Sequence, residues 1–393
     1  MNKQVSPLWF TVLLGVLIAL PALGTDIYVP AMPALAVGLG ADVAAVQFTL
    51  TTYFVGLAAG QLLWGPLSDR YGRKPLLLLG LGALLAASVA GTLVSSVAGV
   101  AAVRLAQGLG ASSGALLGRT IVRDLYAHEQ AARMLARMTI VFSVVPISAP
   151  VCGALLAGAF GWPAVFGSVA LVAALLLAAV LALPETAPAK RASAHPAAIA
   201  RTFAAILADR RFFSPYLVVF CAHMGVLAWI ANSSFTLIRG LGVSALAYGA
   251  LFAVVMLGQI TGAWASSRLV LRLGIARLLR LGALLMLLSG LTAAALAWGG
   301  VAHWLAVTLP FTVLLFGTAL IVPNATAAAL SPFPASAGAA SSLIGSIGFA
   351  VAALLSTLLG AVFDGTARPM ATVAAAAGLG AYLFERVLIR GRA

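Results

Sequence analysis

Twelve long apolar runs, separated by polar breaks, account for most of this 393-residue chain: roughly 8–34, 45–67, 75–95, 97–122, 138–158, 162–183, 213–235, 245–267, 278–298, 303–328, 338–362 and 369–387. A helix needs about 20 mostly apolar residues to cross the hydrocarbon core of a bilayer. The runs meet that length, and none alternates with the period of two that a membrane strand requires. The pattern predicts an all-α membrane protein of twelve transmembrane helices. The longest polar interruption, "PETAPAKRASAHPAAIARTFAAILADRRF", leaves six runs on either side. It predicts an N-terminal six-helix bundle over 1–183, a central loop over 184–212 and a C-terminal six-helix bundle over 213–393. Inside the loop, "AAIARTFAAILA" reads either as a helix lying on the membrane surface or as plain linker.

The two halves echo each other. Gly60, Arg70 and Gly72 share one offset with Gly262, Arg272 and Gly274, while Asp69 falls on Leu271. Six runs plus six, with a matching motif at the same place in each half, read as a duplicated transporter half, so the two bundles are expected to be pseudo-symmetric.

Composition agrees with the pattern. The chain is 63% hydrophobic and 8% charged, with mean hydropathy +1.10, against about 45–50% apolar and 25% charged for a soluble domain. The net charge of +14 raises nucleic acid as a partner, but the basic residues stand in the breaks between apolar runs, which is the signature of membrane topology instead. With the N-terminus inside, 20 of the 23 basic residues fall on the cytoplasmic side, among them Lys3, Lys190, Arg191 and Arg392; Arg239 and Arg368 fall outside, and Arg104 lies within a run. Both termini are therefore expected in the cytoplasm. Cys152 and Cys221 sit in apolar runs, so neither a disulfide framework nor a metal cluster is implied. The excess of arginine over lysine, with abundant alanine and glycine, points to a GC-rich bacterial genome and hence to a bacterial inner membrane. A cleaved leader over the first run fits loosely and would leave an odd number of spans.

The charge that remains is concentrated in "GPLSDRYGRKP", residues 65–75, between the second and third runs. This segment resembles the G-x-L-x-D-R-x-G-R-[KR]-P signature of the major facilitator superfamily, which lies at the same place. "TDIYVPAMPAL" resembles the D-x-Y-x-P-x-x-P element of twelve-span drug:proton antiporters, especially the Bcr/CflA branch. "RLAQGLGASSGALLGRTIVRDLY" resembles that branch's R-x-x-Q-G-x-G-A element and R-D-x-Y exit. "PISAPVCGALL" resembles the antiporter G-P-x-x-G motif, with Ala149 in place of the first glycine and Pro150 and Gly153 retained. The resemblance covers the whole chain. It implies the major facilitator fold and export of small amphipathic compounds, antibiotics of phenicol or bicyclomycin type, by alternating access. It also implies that a proton gradient drives the cycle without a cofactor, and that the protein is a monomer in the lipid bilayer. At the 65–75 segment it implies a conformational latch of Gly65, Asp69, Arg70, Gly72 and Arg73. The acid at 69 is expected to meet the N-terminus of the span that begins near Ala337, and a nearby arginine, while the site faces outward. Read from the residues alone, the basic side chains also serve topology and the glycines a tight turn; topology does not need the acid.

Of the nine acids only Asp26 is well inside an apolar run. An ionisable group there costs about 2.5–3.5 kcal/mol on insertion scales and is a functional candidate by default. One acid that alternates between charged and neutral is enough to couple two flows; hydration at the outer end of the span is the plainer alternative. Arg104, the one base within a run, either braces its helix on backbone carbonyls or acts on Asp26 across a cavity; the resemblance ties this arginine to proton coupling. Candidate substrate contacts are Tyr28, Gln47, Thr51, Tyr53, Gln107, His223, Asn232 and Asn324, with Trp229, Met224 and Phe235 as apolar wall. Taken alone, each polar one is more often an interhelical hydrogen-bonding residue than a ligand contact, and the apolar ones are also candidates for core or lipid-facing positions. Gly110, Gly114 and Gly118, spaced four apart, and Gly108 permit close helix packing.

A metabolite exporter or importer of the same fold, for an amino acid or a sugar, is the alternative reading. The chain has no G-x-x-x-x-G-K-[ST] loop for nucleotide, and Asp26 with Arg104 is too sparse a set for hydrolysis, so neither an ATP-driven pump nor an enzyme is expected.

Overall fold

A computed structural model describes residues 8–126, 128–186, 196–333 and 336–390. Lys3, Lys190, Arg191 and Arg392, counted above on one side of the membrane, lie outside them. The described chain is helical: α1 (Leu8–Asp26), a 3₁₀ turn (Val29–Ala31), α2 (Met32–Gly38), α3 (Val43–Tyr71), α4 (Arg73–Gly91), α5 (Val97–Leu125), α6 (His128–Phe160), α7 (Pro163–Leu181), α8 (Pro196–Ala208), α9 (Arg210–Ser234) continued by a π-helical turn (Phe235–Gly240), α10 (Ala245–Trp298), α11 (Trp304–Leu330), α12 (Ala337–Ala361) and α13 (Arg368–Arg390).

Ten stretches are long and apolar enough to cross a membrane. One of them, α10, has 54 residues, about 81 Å at 1.5 Å per residue, far more than one crossing. It is two legs, because the backbone turns back at Gly274 (φ 76°, ψ 162°). With α13, which packs against α9 and α10, the described chain makes the twelve legs that the apolar runs predict. Gly72, between α3 and α4, has nearly the same dihedrals (φ 103°, ψ 162°), in a region open essentially to glycine alone. The repeat read from the sequence is thus a repeated backbone reversal.

Polar residues set where several helices start. Asp42, Ser96 and Ser244 accept from the N–H groups of Ala45, Gly99 and Ala247 and so cap α3, α5 and α10. Asp209 caps α9, and its hydrogen bonds from Arg211 hold its carboxyl below the usual range. The stretch read as surface helix or linker does form a helix, α8, which buries Ile206 and lies against α9 and α12.

Helices α1 to α7 pack mainly among themselves, as do α9 to α13, and the two groups meet along α3–α12 and α6–α10. α5 is central to the first group. Its glycines do not serve a single neighbour: Gly108 abuts the Tyr53 backbone of α3, Gly110 abuts α4 at Gly80, and Gly114 and Gly118 abut α1 at Leu17 and Ile18. A side chain at Gly108 would collide with the Tyr53 carbonyl, so the α3–α5 approach depends on glycine there.

Candidate functional site

The first crossing is discontinuous. Pro30 and Pro33 follow Asp26 closely, and the helix stops at the acid. The ladder tightens there: the Tyr28 N–H bonds the Thr25 carbonyl, leaving the Gly24 carbonyl without a backbone donor. Arg104 Nη1 supplies that donor from α5 at 2.9 Å. A cation at the carbonyl end of a helix is also favoured by the helix dipole. The same Nη1 donates to Gln107 Oε1 at 3.1 Å; Gln107 Nε2 donates to Ser88 Oγ at 2.8 Å, and Ser88 donates to the Leu84 carbonyl. Gln107 therefore ties α5 to α4.

Arg104 is 1% exposed, and no carboxylate of the described residues lies within 4 Å of it. Two rings flank it instead, with their centroids 3.8 Å (Tyr53) and 4.2 Å (Tyr28) from Cζ. The Tyr53 hydroxyl donates to the Pro21 carbonyl at 3.1 Å, and the Tyr28 hydroxyl bonds Thr49. Asp26 is 4% exposed and makes no ion pair or hydrogen bond among the described residues. Tyr53 and, from the second helix group, Tyr248 lie within electrostatic range of it. α6 runs beside it: Gly153 abuts the Ile27 carbonyl, and the Pro150 carbonyl abuts Gly249 on α10. Proline and glycine at these two positions let α6 pass close between α1 and α10.

Other candidates form a polar seam between the groups. Gln47 Nε2 donates to the Ala231 carbonyl at 3.1 Å and to Asn232 Oδ1 at 3.0 Å. Thr51 bonds Thr357 at 3.0 Å, and Ser356 donates to the Gln47 carbonyl at 3.2 Å. This seam closes the end of the molecule where α3 begins. The opposite, arginine-rich end is open. A crevice of about 720 Å³ separates α3 and α5 from α8 and α12, lined by Gln61, Asp69, Arg119, Arg123, Phe203 and Ser342 among others. Tyr53 lies eight residues from Gln61 along α3, about 12 Å at helical rise, so the Asp26–Arg104 region is beyond the floor of the crevice.

At the crevice mouth Arg73 holds a cluster together. It donates to Asp69, to Ser68 Oγ at 2.8 Å and to Asp124 Oδ2 at 2.9 Å. Glu185 accepts from the Arg73 and Lys74 N–H groups at 2.9 and 3.2 Å and caps α4 just past the reversal at Gly72. Asp69 is thus paired within its own helix group. Gly338 and Ser341 of α12 lie across the crevice from it. Gly65 lines the same crevice, and Arg70 stacks on Tyr71 at the exposed end of α3.

The remaining candidates stand apart. Trp229 is packed between Phe252 and Phe311 in the second group. Asn324 donates to Ser266 Oγ and the Leu320 carbonyl, joining α11 to α10. His223 bonds the Val219 carbonyl of its own helix and faces Gly348 of α12. Met224 is half-buried, and Phe235 packs on Phe363. Sequence reasoning missed Asp124 and Glu185. Asp124 could have been found as the acid of the R-D-x-Y exit, which must have a basic partner; Glu185 offered no local signal.

Comparison with known proteins gives consistent matches. The family described as Major Facilitator Superfamily matches residues 14–357. The bicyclomycin resistance protein homolog of Haemophilus influenzae is 33% identical over 94% of this chain and 93% of its own length. Multidrug resistance protein D of Escherichia coli is 29% identical, with 88% of each chain covered. The crystal structure of a D-xylose–proton symporter superposes with a TM-score of 0.73 at 15% identity, covering 96% of this chain and 98% of that one, which speaks to the fold alone.

Proposed function

Because the chain belongs to the Major Facilitator Superfamily, with its sequence relatives on the Bcr/CflA-like branch, we propose that it exports small amphipathic compounds in exchange for protons. Antibiotics of the phenicol or bicyclomycin type are the expected substrates. The protein lies in a bacterial inner membrane with both termini in the cytoplasm. Two six-helix bodies, residues 1–183 and 213–393 joined by 184–212, rock about a central site. The observation that carries the reading is Asp26: a buried carboxylate at a helix break, unpaired, beside the place where α6 meets α10. A proton on such a group changes its charge where the two bodies touch, and that bears directly on whether they separate. On the proposed orientation the crevice opens to the cytoplasm, with a volume in the range of small-molecule sites, and the seam at Gln47 closes the outer side. Asp69 is then the latch acid in its released state, paired with Arg73 and apart from α12. A cycle of this kind needs the proton gradient and no cofactor, and a single chain contains all of it.

The test is proton release from the detergent-purified protein on adding phenicols or lipophilic cations, wild type against Asp26→Asn. Release from wild type and none from the variant is expected. Ligand binding without release from wild type would overturn proton coupling and leave facilitated metabolite transport as the reading, to be examined by counterflow of labelled amino acids and sugars.

A further inference from the structure

The basic residues at the open end of the molecule are not all held alike. Arg73 is enclosed by oxygen. Arg119 and Arg123, four residues apart on α5 and so on one face of it, both line the crevice. Neither makes an ion pair among the described residues. Arg123 donates one long hydrogen bond, 3.4 Å, to Thr120 of its own helix. The acids that line the crevice, Asp69 and Asp124, both accept from Arg73 instead. The two guanidiniums lie within electrostatic range of each other, and like charges at this spacing destabilise a helix. Topology asks only that basic residues stay on one side of the membrane; it needs neither that they share a face nor that the face line a cavity.

Across the crevice, α12 contributes small uncharged residues, Ser341 and Ser342 among them. Its first turn has no side-chain cap from Ser336, and the N–H groups at the start of a helix favour negative charge. Leu62, Leu116 and Phe203 add apolar surface, and the volume of about 720 Å³ suits a small organic molecule better than a bare ion. We propose that the crevice binds an amphipathic organic anion, with its carboxylate or phosphate held between Arg119 and Arg123 and its apolar body against Leu62, Leu116 and Phe203. A guanidinium matches either group with two parallel hydrogen bonds, and a bound anion offsets the repulsion within the pair. The proposal rests on the proposed function in taking the crevice as the entrance for substrate, and it adds anions to the compounds expected there. An anionic head on an apolar body is the chemistry both of soluble organic acids and of anionic lipids in the surrounding leaflet.

The experiment measures equilibrium binding of naphthoate, and of naphthamide as its uncharged analogue of the same shape, to the full chain in phosphatidylcholine nanodiscs near neutral pH. Wild type is expected to bind naphthoate about tenfold or more tighter than naphthamide, the range of a charge-assisted hydrogen bond. With Arg119→Gln and Arg123→Gln combined, the preference is expected to fall to within about twofold. Naphthamide should bind the double variant as before, which shows that the crevice is intact, and each single variant should lose part of the preference. Arg272→Gln, which removes an exposed base near the Gly274 reversal, is expected to keep all of it, because a diffuse positive potential is screened and a site is not. Dihexanoylphosphatidylglycerol and dihexanoylphosphatidylcholine are then added as competitors. Displacement of naphthoate by the glycerol lipid alone assigns the site to an anionic headgroup; displacement by neither assigns it to a soluble organic acid. Equal affinity for the two probes in wild type, a preference that survives the double variant, one lost alike in Arg272→Gln, or displacement by both lipids alike would each overturn the proposal. Neither a proton gradient nor Asp26 enters this measurement. Failure of proton release therefore overturns the proposed coupling and leaves the anion site standing, while equal probe affinities beside intact release do the reverse.

Discussion

Two arginines in the same half of this protein are kept in place by opposite means. Arg73, at the crevice mouth, has an 8% exposed side chain and is surrounded by oxygen: Asp69, Ser68 and Asp124 all accept from it, and its own N–H is capped by Glu185. Arg104 is more deeply buried and has no carboxylate, only two backbone or amide oxygens and two aromatic rings. The contrast shows where each acid is available. Around Arg73 the acids are engaged in ion pairs that join the ends of α3, α4 and α5. Around Arg104 no carboxylate of the described residues takes part, and the charge is met by carbonyl and amide oxygen and by ring faces.

The sharpest way to break this comparison is to remove each cation in turn. Arg73→Leu leaves Asp124, whose side chain is 13% exposed, without its partner, and the expected loss is about 3–5 kcal/mol. Arg104→Leu strands no ion-paired acid; it removes a donor from the Gly24 carbonyl and from Gln107, for an expected loss of about 1–3 kcal/mol. Thermal midpoints of the two purified variants should fall in that order, and the reverse order would mean that a carboxylate pairs with Arg104 after all. The reversal glycines come next. Gly72→Ala and Gly274→Ala each force alanine into a glycine-only region, at about 1–3 kcal/mol. Gly72→Ala should be the worse of the two, because a Cβ there meets the Glu185 carboxylate, whereas the space around Gly274 is open; equal midpoints would show that the Glu185 cap yields easily. The smallest effect is expected for Asp69→Asn. Its side chain is 49% exposed, so its pair with Arg73 contributes less than about 1 kcal/mol, and the variant should unfold near the wild-type midpoint. If it is instead as damaging as Arg73→Leu, Asp69 and not Asp124 is the main partner of the cluster.

Much of the fold was legible in the sequence because lipid imposes a simple rule: every crossing needs its own apolar run, and basic residues collect on one side. The break at Asp26 was foreshadowed by Pro30 and Pro33, and the reversal at Gly274 by its echo of Gly72. The polar candidates were less legible. Gln47, Thr51 and Asn232 look like ligand contacts in a list of polar residues within apolar runs, but in the structure Gln47 bonds Asn232 and Thr51 bonds Thr357 across the two helix groups. Trp229 looks like pocket wall and is packed among Phe252 and Phe311. Nothing in the sequence marks Glu185 as the cap of α4, because the contact spans more than a hundred residues of chain.

By itself the sequence determined the number of crossings, the echo between Gly72 and Gly274, the gathering of basic residues in the breaks between apolar runs, and the one carboxylate and one guanidinium placed well inside those runs. Those follow from the cost of each residue type in hydrocarbon, which is a local property. Only the tertiary structure decided what Arg104 faces. Its distance from any carboxylate and its contact with two rings depend on how α1, α3 and α5 converge, and that is set by glycine-mediated backbone approach and not by the character of any one residue.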